Sequence, residues 1–389
     1  MCFSFICCDA ILVVIKSMFI LILYFLLFVL IHHLTRPINN LQPLFRQEQA
    51  ILVFIALFVF FGFRNLCVLN DTNHYYLAQY YLINSTEFNN CSLFFIDKYS
   101  RWEVGYQILS CIVGKIWANP YAIIQVSAFA IIVSTIWISS RYTSMLSLLV
   151  FFLLGFGILI GQFSAIRQGW ALVLFYIAFN FLRQRKTISG IIFIICAIQF
   201  HSSAIVLFAL VVLSYLRPSK SNILYVTIIC IIIIIGLYPI LNNLGFGDSK
   251  YVMGAMERDT MALGAVLIFF LQLFTMIVSF VLLKKYNIVP PDRLLIWGCL
   301  LGLFFTCAAI KIQVFTRFSN YFGIFFILFL LHALSKVPKT VRNNWILFFV
   351  LFLLLRTFVV NEYRNDWSHL IPYSFFDFSE GVQLKDFGY

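Results

Sequence analysis

Residues 143–186 read TSMLSLLVFFLLGFGILIGQFSAIRQGWALVLFYIAFNFLRQRK. Two apolar runs, 143–162 and 168–182, flank a polar break that contains Arg167, and a basic group follows at 183–186. A membrane-spanning helix needs about 20 apolar residues, or somewhat fewer with interfacial side chains at its ends, and short basic loops stay in the cytoplasm. The segment therefore predicts two spanning helices that are joined outside the membrane near Arg167 and lead back to a cytoplasmic loop.

The whole chain has the composition of a membrane protein. Of its 389 residues, 62% are apolar and only 11% are charged, which lies outside the range of soluble globular domains. A disordered chain is also excluded, because disordered chains are rich in charge and poor in aromatic residues, whereas this one has 46 Phe and 19 Tyr. We therefore expect an all-α, polytopic membrane protein that forms a single membrane-embedded domain over residues 1–389.

Apolar runs along the chain predict about twelve transmembrane helices. They are expected near 11–31, 49–63, 120–140, 143–162, 168–182, 187–200, 203–216, 222–241, 262–283, 294–310, 318–334 and 344–360. The stretch 103–117 offers only about 14 residues and is predicted to be a short interfacial or re-entrant helix inside an outward-facing loop, 64–119. No small-residue cleavage site follows the first run, which we interpret as an uncleaved anchor.

The basic residues indicate the sidedness of these helices. Four clear basic loops, at 183–186, 217–220, 284–293 and 336–342, alternate along the chain as cytoplasmic loops should. Arg141 and the loop with Arg36 and Arg46 also lie on the cytoplasmic side if the segment 103–117 does not cross the membrane. By this assignment the cytoplasmic loops hold 14 of the 27 Lys and Arg residues but only 2 of the 15 acids. Both termini, including a tail at 361–389, are then predicted to be extracytoplasmic.

The cysteines and glycines provide no cofactor motif. Cys67 and Cys91 share the predicted outward loop, where a disulfide is chemically permitted. No His/Cys cluster has zinc spacing, and no phosphate-binding or dinucleotide-binding glycine pattern occurs. We therefore expect no cofactor and no metal, although two acids on one face could bind a cation weakly.

Ionisable residues gather at the predicted outer ends of the helices. They are Arg64, Asp71, Glu103, Arg167, His201, Lys311 and Arg317. Charged groups near membrane depth are costly and usually face a bundle interior or a water-filled cavity. Arginines from three helix ends can clamp a phosphate or pyrophosphate through forked hydrogen bonds, and carboxylates or an imidazole beside them can move a proton.

Several of these residues also fit purely structural roles. Arg64 could be a snorkelling anchor, Asp71 a turn or helix-capping residue, and Glu103 the start of a short helix. His201 could be a hydrogen-bonded linker between two short segments. Arg167 favours function, because it lies in a group of polar residues between two apolar runs.

The polar motifs, taken in order, resemble those of a known family. They are Phe63-Arg64, Asn70-Asp71-Thr72 with Tyr75, Glu103-Val104-Gly105-Tyr106, Ile166-Arg167-Gln168-Gly169-Trp170, Phe200-His201-Ser202-Ser203, and Arg317 with Tyr321. Together they resemble the EpsG-like branch of the Wzy-type polysaccharide polymerases over about residues 50–330. The chain departs from that pattern at Asn70 and Gly169, and neither departure removes a charged group.

The resemblance implies an enzyme of the bacterial inner membrane whose active site faces the periplasm. Such enzymes transfer a growing glycan from one undecaprenyl-pyrophosphate carrier to a sugar hydroxyl of a second lipid-linked repeat unit. Expected partners are the donor and acceptor lipids and the bilayer, with chain-length regulator and flippase proteins as further candidates and no nucleic acid.

Within this scheme each polar residue receives an expected role. Arg64, Arg167 and Arg317 are expected to bind the pyrophosphate, and one of Asp71, Glu103 or His201 to take the proton from the acceptor hydroxyl. Further substrate contacts are expected from Tyr75, Gln168 and Tyr321.

Other functions share some of these features. A flippase for the same lipid-linked oligosaccharide would also need arginines in a cavity, but alternating access predicts charges near the bilayer midplane. Another lipid-sugar-dependent glycosyltransferase would differ in product length alone. A structural scaffold would not need so many outward-facing arginines.

Overall fold

The structure is a computed structural model that describes residues 22–24, 26–32, 42–85, 102–243, 263–363, 370 and 373–377. The described residues form α-helices and one 3₁₀ helix (Ser202–Leu207). In chain order the α-helices are α1 (Ile22–His32), α2 (Gln42–Gly62), α3 (Thr72–Ile83), α4 (Val104–Ile116), α5 (Ala122–Ser139), α6 (Leu146–Gly155), α7 (Ile158–Ser164), α8 (Ile166–Arg183), α9 (Thr187–Ile198), α10 (Phe208–Leu213), α11 (Lys220–Asn243), α12 (Leu263–Lys285), α13 (Arg293–Ala309), α14 (Val314–Ser319), α15 (Gly323–Lys336) and α16 (Lys339–Tyr363).

Helix α6 forms the centre of the bundle. All ten of its residues, which are apolar apart from Ser147, are buried. The Gln49 side chain of α2 donates to the Ser147 hydroxyl at 3.0 Å and accepts from the Leu146 amide at 3.1 Å. Gln49 thus satisfies a free amide at the start of α6, which matters where no water is at hand.

The outer faces of the bundle are apolar. Leu224 of α11, Leu267 of α12 and Leu355 of α16 are each about 60% exposed, and many large apolar side chains share this position. A soluble protein rarely leaves so much apolar surface uncovered, whereas a bilayer solvates it. The protein is therefore a membrane protein, as its composition predicts.

The prediction of twelve spans is not confirmed. Three described helices, α5, α12 and α16, are long and apolar enough to cross a membrane, or four spans if the bent pair α6–α7 counts as one. Most of the other predicted spans coincide with shorter apolar helices. The sidedness of the termini is not shown, because residues 1–21 and 378–389 lie outside the described residues.

The predicted span 143–162 is broken. Helices α6 and α7 meet at an angle of 72°, and Gly157 between them has a φ of 78°, a left-handed conformation that favours glycine. The sequence does not reveal this break, because the residues on both sides of it are apolar.

The predicted outward loop 64–119 contains more structure than a single short helix. The expected helix at 103–117 is α4, and a second helix, α3, precedes it. Part of the C-terminal tail lies against the start of this loop: the Asn65 amide donates to the Ser374 carbonyl and the Phe376 amide to the Phe63 carbonyl, each at 2.9 Å. The tail therefore braces the chain where it leaves α2.

Candidate active site

Three predicted site residues meet around the Glu103 carboxylate. Arg167 Nη1 lies 2.6 Å from Glu103 Oε2, and His201 Nδ1 lies 3.2 Å from Glu103 Oε1. The Ser202 amide also donates to Oε1 at 3.0 Å. The side chains of Arg167, Glu103 and His201 are 24%, 17% and 9% exposed, so the cluster is largely but not fully removed from solvent.

Gly105 allows this meeting of distant segments. Its amide donates to the Gln199 carbonyl at 2.8 Å, and a Cβ atom at Gly105 would lie 2.7 Å from that oxygen. A side chain at this position would push apart the start of α4 and the end of α9. Since Glu103 precedes α4 and His201 follows α9, the close approach at Gly105 positions both groups.

The contacts of Glu103 favour its charged form. Burial raises its pKa, but the hydrogen bond with His201 and the positive charge of Arg167 outweigh burial and lower the pKa to about 2. Glu103 is therefore a carboxylate at neutral pH. Its main effect is to fix the positions of Arg167 and His201.

Aromatic side chains support Arg167 from the other side. The guanidinium carbon lies 4.9 Å from the centre of the Trp102 ring, and the Tyr75 ring lies 5.4 Å from the same ring. The Tyr75 hydroxyl accepts a long hydrogen bond of 3.5 Å from the Arg167 amide. Trp102 was not among the predicted site residues, although its position next to Glu103 in Arg101-Trp102-Glu103 is a signal.

Asp71 occupies the position before α3 but does not cap that helix. It is half-buried, and its side chain accepts no capping hydrogen bond. Within the part of the chain that the structure describes, no hydrogen bond or ion pair engages its carboxylate. Burial raises the Asp71 pKa above its usual value of 3.8, and the charges of His74, Arg167 and Arg317 oppose this only in part. The alternative role as a helix cap is therefore not observed.

Arg317 provides a second cation. Its side chain is exposed, and among the described residues no carboxylate pairs with it. Gln168 fixes the local backbone by donating to the Arg317 carbonyl at 2.5 Å. Tyr321, which is fully buried, shares a hydrogen bond of 3.1 Å with the Ser203 hydroxyl. Gln168 and Tyr321 thus join α8, α14 and the 3₁₀ helix below the site.

Arg64 is buried and donates hydrogen bonds to three protein groups. It is 1% exposed, and its guanidinium donates to the Thr72 hydroxyl at 3.0 Å, to the Phe163 carbonyl at 3.0 Å and to the Phe61 carbonyl. Its expected role in binding pyrophosphate stays a prediction. In this structure it joins the ends of α2, α3 and α7, and it is not a surface anchor.

Arg356 is a half-buried cation that was not among the predicted site residues. It lies within the predicted span 344–360 and donates to the Gly155 carbonyl at 2.5 Å, at the break between α6 and α7. An arginine inside an otherwise apolar run is the signal that could have identified it.

Two further features of the described residues concern cysteines and possible metal ligands. Cys67 is a free, exposed thiol, so the permitted Cys67–Cys91 disulfide is not formed, whereas Cys111 is disulfide-bonded. Among the residues described, no group of three or more His, Cys, Asp and Glu side chains could hold a metal ion.

Comparison with models of known protein families gives a match. The model of the EpsG family matches residues 49–375, which is most of the chain and includes all the site residues above. Comparison with curated proteins and with solved structures finds no match.

Proposed function

Because the chain belongs to the EpsG family, we propose that it is a membrane polysaccharide polymerase that uses lipid-linked sugars. The reaction joins repeat units by moving a glycan from an undecaprenyl-pyrophosphate donor to a sugar hydroxyl of a second lipid-linked unit. The observation that carries this proposal is the cluster of Arg167, Glu103 and His201, with the half-buried Asp71, whose carboxylate has no hydrogen bond or ion pair among the described residues, as a candidate base.

Arg167 and Arg317 bind the pyrophosphate of the donor. Glu103 and Trp102 hold the Arg167 guanidinium in place, so little reorganisation is needed when negative charge develops on the leaving group. The Nε atom of Arg167 is buried and has no hydrogen-bond partner among the described residues. The Arg167 side chain as a whole is 24% exposed, and a phosphate oxygen that reaches it would accept a charge-assisted hydrogen bond from the guanidinium.

Asp71 accepts the proton of the attacking hydroxyl. The acceptor oxygen forms a bond to the anomeric carbon, and the bond from that carbon to the pyrophosphate oxygen breaks with its electron pair. The released proton passes to the Asp71 carboxylate, and the lipid pyrophosphate leaves as an anion. Asp71 suits this role better than Glu103, because a base with a raised pKa holds a proton more strongly than one with a pKa of about 2.

His201 and the remaining predicted residues hold the site residues in position. The His201 ring and the Ser202 amide both contact Oε1 of Glu103, which connects the cluster to the segment that follows α9. Tyr75, Gln168 and Tyr321 position Arg167, Arg317 and the 3₁₀ helix. Arg64 uses three of its five N–H donors to hold the helix ends beside the site together, and its expected contact with the pyrophosphate stays a prediction.

We place the protein in the bacterial inner membrane with this site toward the periplasm. The support is the distribution of charge, because the site residues lie at the helix ends opposite the basic loops. The donor already carries its leaving group, so the reaction needs no nucleotide. Chain-length regulator and flippase proteins remain proposed partners.

A flippase for the same lipid is the second candidate function. The observation that favours it is the broken span α6–α7 with Arg356 beside it, since broken helices and charges within the membrane are typical of transporters. The location of Asp71, Glu103, Arg167 and Arg317 at helix ends favours the polymerase.

A glycan profile distinguishes these functions. Cells that lack the gene are complemented with wild type, Arg167→Ala or the control Arg185→Ala, whose guanidinium contacts only the Ser214 carbonyl among the described residues. A polymerase predicts a single repeat unit in the deletion strain, restored to a ladder by wild type and Arg185→Ala but not by Arg167→Ala. Loss of every surface glycan, including the single unit, would indicate transport.

A further inference from the structure

Arg356 is a cation at membrane depth that the reaction described above does not use. It lies 17 residues after Lys339 in α16, about 25 Å along the helix axis, within an apolar run. Charged side chains in such positions are costly and usually functional. Among the described residues no carboxylate pairs with Arg356.

One contact of Arg356 is structural. The bend between α6 and α7 frees backbone carbonyls, and Arg356 Nη1 donates to one of them, that of Gly155. A guanidinium has five N–H donors, and the described residues provide an acceptor for this one alone. Capping a carbonyl therefore uses only part of the side chain.

The rest of the guanidinium borders unfilled space along α7. A Cβ atom at Gly157 would have Arg356 as its only neighbour, with Nη2 at 3.8 Å and Nη1 at 4.0 Å. A Cβ atom at Gly161, one helical turn further on, would meet no heavy atom within 4 Å. The Arg356 fork thus lies beside open space over the Gly157–Gly161 face, and we refer to this space as the groove.

This groove is close to the proposed active site. Phe163, six residues after Gly157, accepts a hydrogen bond from Arg64, and Arg167 is the second residue of the next helix, α8. Six residues of helix span roughly 9 Å. Two separate arginine sites therefore lie at the two ends of one short helix.

We propose that Arg356 and the Gly157–Gly161 face form a second binding site for a lipid-borne phosphate or pyrophosphate, that of the second lipid-linked substrate. This inference rests on the proposed function, because transfer between two lipid-linked glycans requires two headgroups within reach of one another. An arginine fork binds phosphate oxygens in pairs, and glycines leave room for the group and its prenyl chain.

The test counts bound lipids. The purified full-length protein is placed in nanodiscs of uncharged lipid and titrated with undecaprenyl pyrophosphate that carries no sugar, and bound copies are counted by native mass spectrometry. Wild type and the control Arg185→Gln bind two copies. Arg356→Gln and Gly161→Leu bind the second copy at least tenfold more weakly.

Gly161→Leu separates binding from folding. The leucine side chain fills the groove but leaves Arg356 and its hydrogen bond to Gly155 intact. If the role of Arg356 is only structural, Gly161→Leu should therefore not change lipid binding. Two copies retained by Gly161→Leu, or a single copy in wild type, would overturn the inference. Phosphatidylglycerol that displaces the second copy at equal concentration would also overturn it, by showing a phospholipid site.

The outcomes for the two proposals remain separate. A protein that binds two lipids but forms no polymer refutes the proposed function and leaves a lipid-phosphate site in place. A protein that forms polymer but binds one lipid refutes the second site alone.

Discussion

Replacing Glu103 with Gln is expected to slow polymerisation by up to about 100-fold. The carboxylate contacts Arg167 at 2.6 Å, His201 at 3.2 Å and the Ser202 amide at 3.0 Å, and an uncharged amide cannot hold all three. The lowering of the Glu103 pKa from 4.5 to about 2 corresponds to about 3 kcal/mol in favour of the charged form. If Glu103→Gln removes this energy, and with it the interaction that orients Arg167 toward the transition state, the rate falls by about two orders of magnitude.

The sign of the pH effect follows from the lowered pKa. A carboxyl whose pKa is lower in the folded protein stabilises it fully above about pH 4.5, and this contribution is lost as the pH falls toward about 2. At neutral pH the wild type therefore has the whole benefit and Glu103→Gln has none. We expect Glu103→Gln to be slower at every pH from 5 to 8, with the shape of the profile unchanged.

The assay is the initial rate of polymer formation by purified protein in proteoliposomes, per mole of folded protein. The matched control is Asp292→Asn, which removes a second Arg-paired acid, 3.4 Å from Arg183 in a predicted cytoplasmic loop. The control should polymerise within about threefold of wild type. A Glu103→Gln protein that also stays within threefold would refute the reasoning.

Three further predictions concern separate features. Asp71→Asn should lower the polymerisation rate by at least about 100-fold, and an unchanged rate would exclude Asp71 as the base. Because burial raises the Asp71 pKa, the wild-type rate should begin to fall at a higher pH than it would with an ordinary aspartate as the base. Gly105→Ala should destabilise the protein by about 1–3 kcal/mol in thermal unfolding, because the clash of the added Cβ with the Gln199 carbonyl outweighs the gain in helix propensity of about 1 kcal/mol. A variant more stable than wild type would contradict the close packing at Gly105. A membrane-impermeant maleimide added outside spheroplasts should label Cys67 but not the buried Cys299, and labelling of Cys67 only after permeabilisation would reverse the topology.

The meeting of Glu103, Arg167 and His201 could be predicted from the sequence. Each lies between apolar runs, and the basic loops place all three at the same ends of the helices. The order of the helices and the side of the membrane on which each one ends restrict the positions of these polar side chains. Polar residues at one membrane face therefore tend to lie close together. Their individual partners required the structure, because hydrogen-bond geometry depends on packing such as that at Gly105.

Other features had no clear sequence signal. The bend at Gly157 depends on a left-handed backbone within an apolar run, and glycines are also common in straight membrane helices. Arg64 is buried because three protein groups accept its hydrogens, which an isolated arginine after an apolar run does not reveal. Helix α3 has little apolar periodicity of its own and packs by its Tyr side chains, so it was not separated from the surrounding loop.

The central claim is that the protein joins lipid-linked repeat units, and reconstitution tests it most directly. Purified wild type in proteoliposomes receives a single synthetic undecaprenyl-pyrophosphate-linked repeat unit and no nucleotide, with Asp71→Asn as the paired sample. We predict a ladder of lipid-linked products at whole multiples of the repeat unit for wild type, and only the starting material for Asp71→Asn. Wild type that moves the intact lipid across the bilayer but forms no product longer than one unit would contradict it.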